Sequence, residues 1–234
     1  MCFRPRQQRS YCYRIAMILV PVKNLQNAKQ RLSSVLDQPS RLGLAQAMLH
    51  DVLERLGTWR ERPDEVALVT NDPFAMELAS GFDFRIIAET ANRSETDAIA
   101  MATAICQSQG AENTLVLPGD IPLLQSWELE RIFAAAPERG SVLVPSGDRR
   151  GTNAAWRKPA GLFPLRFGND SFKSHLNAAR ATGCPCVVLS LPGIALDVDN
   201  PADLQQLAAA PGETRAQRLA RQWDLTDYPL AANE

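Results

Sequence analysis

Apolar and polar residues form two different patterns along the chain. Short continuous apolar runs, such as residues 15–22, are typical of strands that are buried on both faces of a sheet. Longer segments with apolar residues at every third or fourth position, such as residues 40–56, predict amphipathic helices. The two kinds of segment alternate, which predicts an α/β protein with a parallel sheet in a three-layer sandwich.

The predicted elements can be placed from these patterns. Strands are predicted at residues 15–22, 66–70, 84–88, 114–117, 141–145, 152–156 and 186–191. Helices are predicted at residues 40–56, 73–80, 94–109, 126–136, 171–182, 200–209 and 213–223. Gly57 is expected to end the first helix, and Asn200 with Pro201 to begin the sixth.

The domain organisation is expected to be simple. Residues 15–210 are predicted to form a single domain, preceded by a disordered extension at 1–14 and followed by a polar tail at 211–234 that contains one helix. The apolar run at 15–22 is too short for a signal peptide with a cleavage site, so a cytoplasmic protein without a membrane partner is expected.

Composition and the absence of common motifs exclude several classes of function. The 25 basic and 26 acidic residues give a net charge of −1, which provides no general attraction for nucleic acid. The sequence contains no P-loop, dinucleotide-binding, zinc-protease or nucleophile-elbow motif. An anionic ligand would therefore be held by a local site built from dispersed residues.

Three cations follow the first predicted strand. Lys23, Lys29 and Arg31 lie within nine positions, and lysine is otherwise scarce, with four among the 25 basic residues. Such a loop can surround a triphosphate. A solvent-exposed loop without a ligand is the alternative interpretation.

Three carboxylates follow other apolar runs. Asp120 lies between turn-forming prolines after the fourth predicted strand, and Asp197 and Asp199 form an Asp-x-Asp sequence. Mg²⁺ prefers a few carboxylates together with phosphate oxygens, which these residues could supply. For Asp199, the alternative is a role at the helix N-terminus beside Asn200.

Small and hydroxyl-bearing residues form a further group. Thr152 and Ser171 can donate to phosphate or carboxylate oxygens, Gly168 permits a close backbone approach, and free N–H groups at the start of a helix favour an anion. His175 lies one turn after Ser171 on the same helix face. A capping serine and a packed histidine are the alternatives.

The order of these motifs resembles the 2-phospho-L-lactate guanylyltransferase family over residues 15–210. The shared motifs are PVK…K-x-R-L, LPGD-x-P, GTNA, FG-x-x-SF-x-x-H and LD-x-D-x-P-x-DL. The resemblance implies a glycosyltransferase-A-like nucleotidyltransferase fold of Rossmann-like type with a mixed, mainly parallel sheet. It also implies transfer of GMP from GTP to a phosphorylated three-carbon acid, with Mg²⁺, in the biosynthesis of coenzyme F-420.

The resemblance also implies roles for individual residues. Those assigned to the metal are Asp120, Asp197 and Asp199; those assigned to the nucleotide are Lys23, Lys29, Arg31 and Asp97; those assigned to the acid are Thr152, Gly168 and Ser171; and those assigned to catalysis are Lys23 and Asp120.

Several alternatives stay open at the level of sequence. The acid could be 2-phospho-L-lactate, phosphoenolpyruvate or 3-phosphoglycerate. An NDP-sugar glycosyltransferase and a non-catalytic nucleotide-binding partner of a biosynthetic complex are the other functions considered. A homodimer and contact with the next enzyme of the pathway are possible associations.

Overall fold

The computed structural model describes residues 16–59, 62–89, 94–168 and 170–223. A seven-stranded sheet has the strand order β3-β2-β1-β4-β6-β5-β7. The strands are β1 (Ala16–Val22), β2 (Val66–Thr70), β3 (Arg85–Ala88), β4 (Asn113–Val116), β5 (Gly140–Pro145), β6 (Thr152–Lys158) and β7 (Cys186–Val188). The helices are α1 (Gln38–Trp59), α2 (Pro73–Gly81), α3 (Glu95–Ser108), α4 (Ser126–Ala135), α5 (Ser171–Ala181), α6 (Pro192–Ala195), α7 (Pro201–Ala209) and α8 (Arg215–Ala220).

The sheet is mixed. Strands β1 to β4 pair in parallel, as do β5 and β7, whereas β6 runs antiparallel to both β4 and β5. The short connection from β5 to β6 allows only an antiparallel hairpin, because a parallel crossover needs a dozen or more residues. The all-parallel sheet expected from the alternation is therefore wrong at β6, and the mixed, mainly parallel sheet implied by the resemblance is confirmed.

Alternation along β1 builds the two sides of the core. Ile18, Val20 and Val22 pack with α1, α2 and α4, while Met17 and Leu19 point to the opposite face and pack with α3. Helix α5 joins α3 on that face. This arrangement is the predicted three-layer sandwich. Helices α7 and α8 pack on the outer side of α1 in a third apolar cluster.

The structure corrects several predicted boundaries. Helix α1 continues through Gly57 to Trp59, so the predicted stop is wrong. A Cβ atom at Gly57 would lie 3.1 Å from the ring of Phe82, so glycine is placed there for close packing. The last strand is shorter than predicted because Pro192 begins the unpredicted α6. The last helix is also shorter than residues 213–223, and Thr214 caps it.

Two predicted terminal segments lie outside the described residues, namely the extension at 1–14 and the tail beyond residue 223. Of the helices in the described ranges, none combines the length and apolar character needed to cross a bilayer.

Candidate active site

A cleft of about 680 Å³ opens where the parallel strands end. Ligands of open α/β sheets bind at this carboxyl edge, because the loops that leave neighbouring strands meet there. The cleft brings together most of the site residues predicted from sequence. Those that line it are Arg31, Asp120, Thr152, Gly168, Ser171, Asp197 and Asp199.

The carboxylates come from two segments that touch. Asp120 follows β4 after the turn at Pro118 and Gly119, and the N–H of buried Val198 donates to the backbone oxygen of Asp120 at 3.3 Å. This contact holds the Asp197–Asp199 segment beside Asp120. The prediction that these carboxylates share one site agrees with this placement, and their role as metal ligands stays a prediction.

Lys29 lies between two of these carboxylates. Its Nζ atom is 2.5 Å from Oδ2 of Asp120 and 2.9 Å from Oδ1 of Asp199, and the side chain is only 7% exposed. Burial opposes the charged form, but the two carboxylates outweigh it and raise the pKa of Lys29 well above its usual range. Lys29 is therefore a buried cation that offsets part of the negative charge of the acidic site.

The other two cations are placed differently. Lys23 pairs with Glu89, whose carboxylate follows β3, at 2.6 Å. Arg31 is 71% exposed and lies 3.6 Å from Asp199, at the rim of the cleft. The three cations thus come from one loop, but Lys23 pairs with Glu89, whereas Lys29 and Arg31 share Asp199.

Asp197 and Asp199 have pKa values shifted in opposite directions. Burial and the neighbouring Asp120 raise the pKa of Asp197 to about 6. Burial also disfavours the charge on Asp199, but Lys29 outweighs it and holds the pKa of Asp199 below its usual value. The side-chain amide of Asn153 donates to Asp197 at 2.9 Å and to the backbone oxygen of Ile194 at 2.9 Å, which fixes Asp197 against α6.

The carboxylates fit a magnesium ion that is shared with phosphate groups. The Oδ1 atom of Asp120 is buried without a hydrogen-bond partner, so it is available to a cation. Across the described ranges, no three or more His, Cys, Asp and Glu side chains are gathered closely enough to hold a metal by themselves. Mg²⁺ binds through one or two carboxylates and substrate phosphates rather than in an all-protein cage, so this donor set suits it.

A second set of lining residues, the hydroxyl wall, contains Thr152, Gly168 and Ser171. Gly168 has a φ of +132°, in the region that favours glycine. The N–H of Ser171 donates to Gly168 O at 3.2 Å, and the N–H of Phe172 donates to Arg150 O at 3.0 Å. The expectation that the first N–H groups of α5 are free for an anion is therefore wrong for these two residues, which leaves the side-chain hydroxyls as donors.

His175 links two segments of this wall through hydrogen bonds of its ring. Its Nε2 atom accepts from the N–H of Arg166 at 2.7 Å, and its Nδ1 atom lies 2.9 Å from Oγ1 of Thr152. The ring is fully buried and packs edge-on against Phe167 at 5.2 Å. The histidine therefore touches β6 and the loop before Gly168 from a position one turn after Ser171.

Asp97 occupies a capping position. It accepts from the hydroxyl of Ser94 at 2.8 Å and forms a capping box at the start of α3. The lining of the cleft, taken over the described residues, does not include it. Nucleotide binding by Asp97 stays a prediction.

Sequence reasoning missed other polar residues of the site. Glu95, Asn153 and Arg150 line the cleft, and Glu89 pairs with Lys23. Burial, followed by Asp120, raises the pKa of the half-buried Glu95 to about 7. Among these residues, only Asn153 could have been selected from the sequence, because it belongs to the GTNA motif. The others come close to the site through the folding of distant segments.

Comparisons with known proteins identify the family. The family model described as "Guanylyl transferase CofC like" matches residues 16–229. A phosphoenolpyruvate guanylyltransferase of Sphaerobacter thermophilus is 35% identical over 190 residues, which cover 81% of this chain and 91% of that protein. A 2-phospho-L-lactate guanylyltransferase of Methanothermobacter thermautotrophicus is 29% identical over 216 residues, covering 92% of this chain and 94% of that protein.

Solved structures agree on the fold. A protein of Desulfovibrio desulfuricans described as a nucleotide-diphospho-sugar transferase has a TM-score of 0.73 and 17% identity, covering 89% of this chain and 95% of that chain. A 4-diphosphocytidyl-2C-methyl-D-erythritol synthase has a TM-score of 0.55 and 20% identity, and the match covers 81% of this chain and 94% of that chain. The sheet is thus that of Rossmann-like nucleotidyltransferases.

The family match does not favour either alternative considered above, namely glycosyl transfer from an NDP-sugar or a non-catalytic partner. The acidic cleft with its buried lysine and the family match over most of the sequence lead to one assignment. The chain is an enzyme of the nucleotidyltransferase class and belongs to the CofC-like guanylyl transferase family.

Proposed function

We propose that this enzyme transfers GMP from GTP to the phosphate of a small phosphorylated acid, with release of pyrophosphate, in the biosynthesis of coenzyme F-420. The observation that carries the proposal is the pairing of two walls in one cleft. Asp120, Asp197 and Asp199 line the cleft as one set, the acidic wall, and the hydroxyl-bearing Thr152 and Ser171 line it as part of the other, the hydroxyl wall. The first wall suits a cation with a triphosphate, and the second suits a compact anion.

The reaction needs little proton transfer. A phosphate monoester carries a charge of about −1.5 to −2 at pH 7, so the acid is already a nucleophile. One of its phosphate oxygens forms a bond to the α-phosphorus of GTP. The bond from that phosphorus to the oxygen bridging to the β-phosphorus breaks, and pyrophosphate leaves with the electron pair. Consistent with this, His175 is buried and hydrogen-bonded on both sides rather than exposed as a general base.

The residues of the chain would align the two anions. Lys23 and Arg31 would contact the triphosphate, and Lys29 would offset the charge of Asp120 and Asp199. Asp120 with Asp197 and Asp199 would hold Mg²⁺, which supplies electrostatic stabilisation of the charge that develops on the phosphates. The positioned hydroxyls would keep the acid in line with the α-phosphorus.

We infer phosphoenolpyruvate as the first acceptor to test. Relatives with 35% and 36% identity carry the name phosphoenolpyruvate guanylyltransferase, against 29% for the named 2-phospho-L-lactate enzyme. The pocket must discriminate between phosphoenolpyruvate, 2-phospho-L-lactate and 3-phosphoglycerate, which differ by a few atoms around one carboxylate.

The test is pyrophosphate release by the purified full-length chain. GTP and Mg²⁺ are supplied with phosphoenolpyruvate, 2-phospho-L-lactate or 3-phosphoglycerate in separate reactions, and the guanylylated acid is sought by mass spectrometry. Pyrophosphate and product in equal amounts with one acid would support the proposal, and the size of the three rates would rank the acids. Pyrophosphate release that does not depend on any acid would contradict it.

A further inference from the structure

The buried His175 makes two hydrogen bonds with different chemical constraints. The backbone N–H of Arg166 can only donate, so the Nε2 atom that it contacts at 2.7 Å must present a lone pair. The hydroxyl of Thr152, 2.9 Å from Nδ1, can either donate or accept. The contact at Nε2 is therefore the one that decides the tautomer of the ring.

We assign the proton to Nδ1 from this network. A neutral ring with an occupied acceptor at Nε2 carries its hydrogen on Nδ1, and it donates that hydrogen to Oγ1 of Thr152. Burial, with a further contribution from Arg157, lowers the pKa of His175 to about 4, which agrees with a neutral ring at pH 7.

The assignment determines what Thr152 can do. Its oxygen accepts from His175, so its single hydrogen remains for another partner. Within the described part of the chain, this hydroxyl makes no second hydrogen bond. Thr152 lines the cleft, so a ligand in the cleft can take that hydrogen. A fully ionised phosphate or carboxylate group presents only acceptor oxygens, so such a group at this position needs a donor.

The geometry points to His175 as a positioning residue that fixes the Thr152 hydroxyl as a hydrogen-bond donor to the phosphorylated acid. This inference rests on the proposed function. The same ring supports the loop before Gly168 through Arg166 and Phe167, and the N–H of Phe167 is held by Oγ1 of Thr96 at 3.0 Å. His175 thus joins two segments of the wall that faces the acid.

Two amide substitutions separate the two hydrogen bonds of the ring. In His175→Gln, the side-chain oxygen can replace Nε2 as the acceptor for Arg166, but no donor remains for Thr152. In His175→Asn, the amide nitrogen can replace Nδ1 as the donor to Thr152, but Arg166 loses its acceptor. We expect His175→Gln to raise the KM of the acid about tenfold with the KM of GTP changed less than about threefold. We expect His175→Asn to raise it less and to lower the Tm more.

A double-mutant cycle tests the coupling directly. Thr152→Val removes the hydroxyl at constant shape and is expected to raise the KM of the acid by about 10–100-fold. Adding His175→Gln to Thr152→Val should then raise that KM by less than about twofold, because no hydroxyl remains to be positioned. Effects that multiply in the double variant would overturn the inference.

The matched control is Thr103→Val. The hydroxyl of this buried threonine accepts from Arg157 at 3.2 Å, and Thr103 is not among the described residues that line the cleft. Its removal should lower the Tm without changing either KM. If Thr103→Val changed the KM of the acid as much as Thr152→Val did, a general loss of packing would explain both results and the inference would fail.

A spectroscopic readout tests the tautomer without any activity. The chain has two histidines, His50 and His175, so isotope-labelled histidine gives two sets of ring-nitrogen signals in NMR, and the His175 variants assign them. The expected pattern for His175 is a proton on Nδ1 at pH 7. A proton on Nε2, or a charged ring, would overturn the inference alone. Absence of transfer to any acid by the wild-type enzyme would overturn the proposed function, and the inference with it.

Discussion

The ammonium group of Lys29 lies 2.5 Å from the carboxylate of Asp120, although the two residues are 91 positions apart. Lys29 has a φ of +56°, in the left-handed region, at the start of the short 3₁₀ turn over residues 30–32 that follows β1. A lysine in this place supplies a positive charge to two neighbouring carboxylates, those of Asp120 and Asp199. The acidic site can therefore form in the folded protein without a metal.

Replacement of Lys29 by methionine should destabilise the protein and make its stability depend more on Mg²⁺. The variant loses two ion pairs, but Asp120 and Asp199 are 30% and 42% exposed, so solvent screens part of the repulsion that remains. We expect a loss of about 1–3 kcal/mol in the free energy of unfolding. The measurement is denaturant unfolding with and without Mg²⁺. Equal stabilisation of wild type and variant by Mg²⁺ would argue against a shared cation site.

Replacement of Asp120 by alanine should abolish transfer and leave the fold intact. The variant loses the buried, unpartnered Oδ1 atom that is available to a cation, while Lys29 keeps Asp199 as a partner. We expect kcat to fall by about 100-fold or more at saturating Mg²⁺. Steady-state kinetics and the Tm measure the two effects. Asp64→Asn is the control, since Asp64 is an exposed carboxylate paired with Arg62. Activity within about tenfold of wild type would show that Asp120 does not hold the metal.

Replacement of Ser171 by alanine should weaken binding of the acid alone. Ser171 is buried at the start of α5 and lines the cleft, whereas Ser174 lies exposed on the same helix and serves as the control. Loss of a hydrogen bond to a charged group is typically worth about 1.5–3 kcal/mol, or about 10–160-fold in affinity. The KM of the acid should rise by that order, with the KM of GTP changed less than about threefold. Equal losses for both substrates would identify Ser171 as a structural residue only.

Acid should destabilise the protein through His175. Its pKa is about 4 in the folded state against 6.5 ordinarily, so between these values the unfolded chain binds more protons and stability falls as the pH falls. The full contribution is on the order of 3 kcal/mol. The measurement is the free energy of unfolding against pH for wild type and His175→Asn. The difference between the two curves isolates the histidine from Asp197, whose raised pKa acts in the opposite direction. A difference that does not change from pH 7 to 4 would show that His175 is not the cause.

The sequence contained enough information for the layers of the fold. Continuous apolar runs such as those of β1 and β2 predict buried strands, because every side chain on them is covered on both faces. Gly57 misled the prediction, because a glycine that ends a helix and one that lets a phenylalanine approach have the same local pattern. The direction of β6 depends on the length of the preceding loop rather than on its own residues.

The site was predictable in its residue types but not in its contacts. Asp120, Asp197 and Asp199 could be selected from the sequence because each follows an apolar run that resembles a buried strand. The ion pairs of Lys29 and the two hydrogen bonds of His175 join segments that are far apart in sequence. Such pairings depend on the geometry of several loops at once, and no local sequence pattern predicts them.

Transfer of the α-phosphorus of GTP to a phosphorylated acid can be followed with GTP that is radiolabelled on its α-phosphate. The wild-type enzyme is incubated with this GTP, Mg²⁺ and phosphoenolpyruvate, and in separate reactions with 2-phospho-L-lactate or 3-phosphoglycerate. We expect the label to move to the acid in an amount equal to the unlabelled pyrophosphate released, and no label to move when the acid is omitted. Label that appears only in free GMP, or that remains in GTP with each of the three acids, would show that the proposed transfer is wrong.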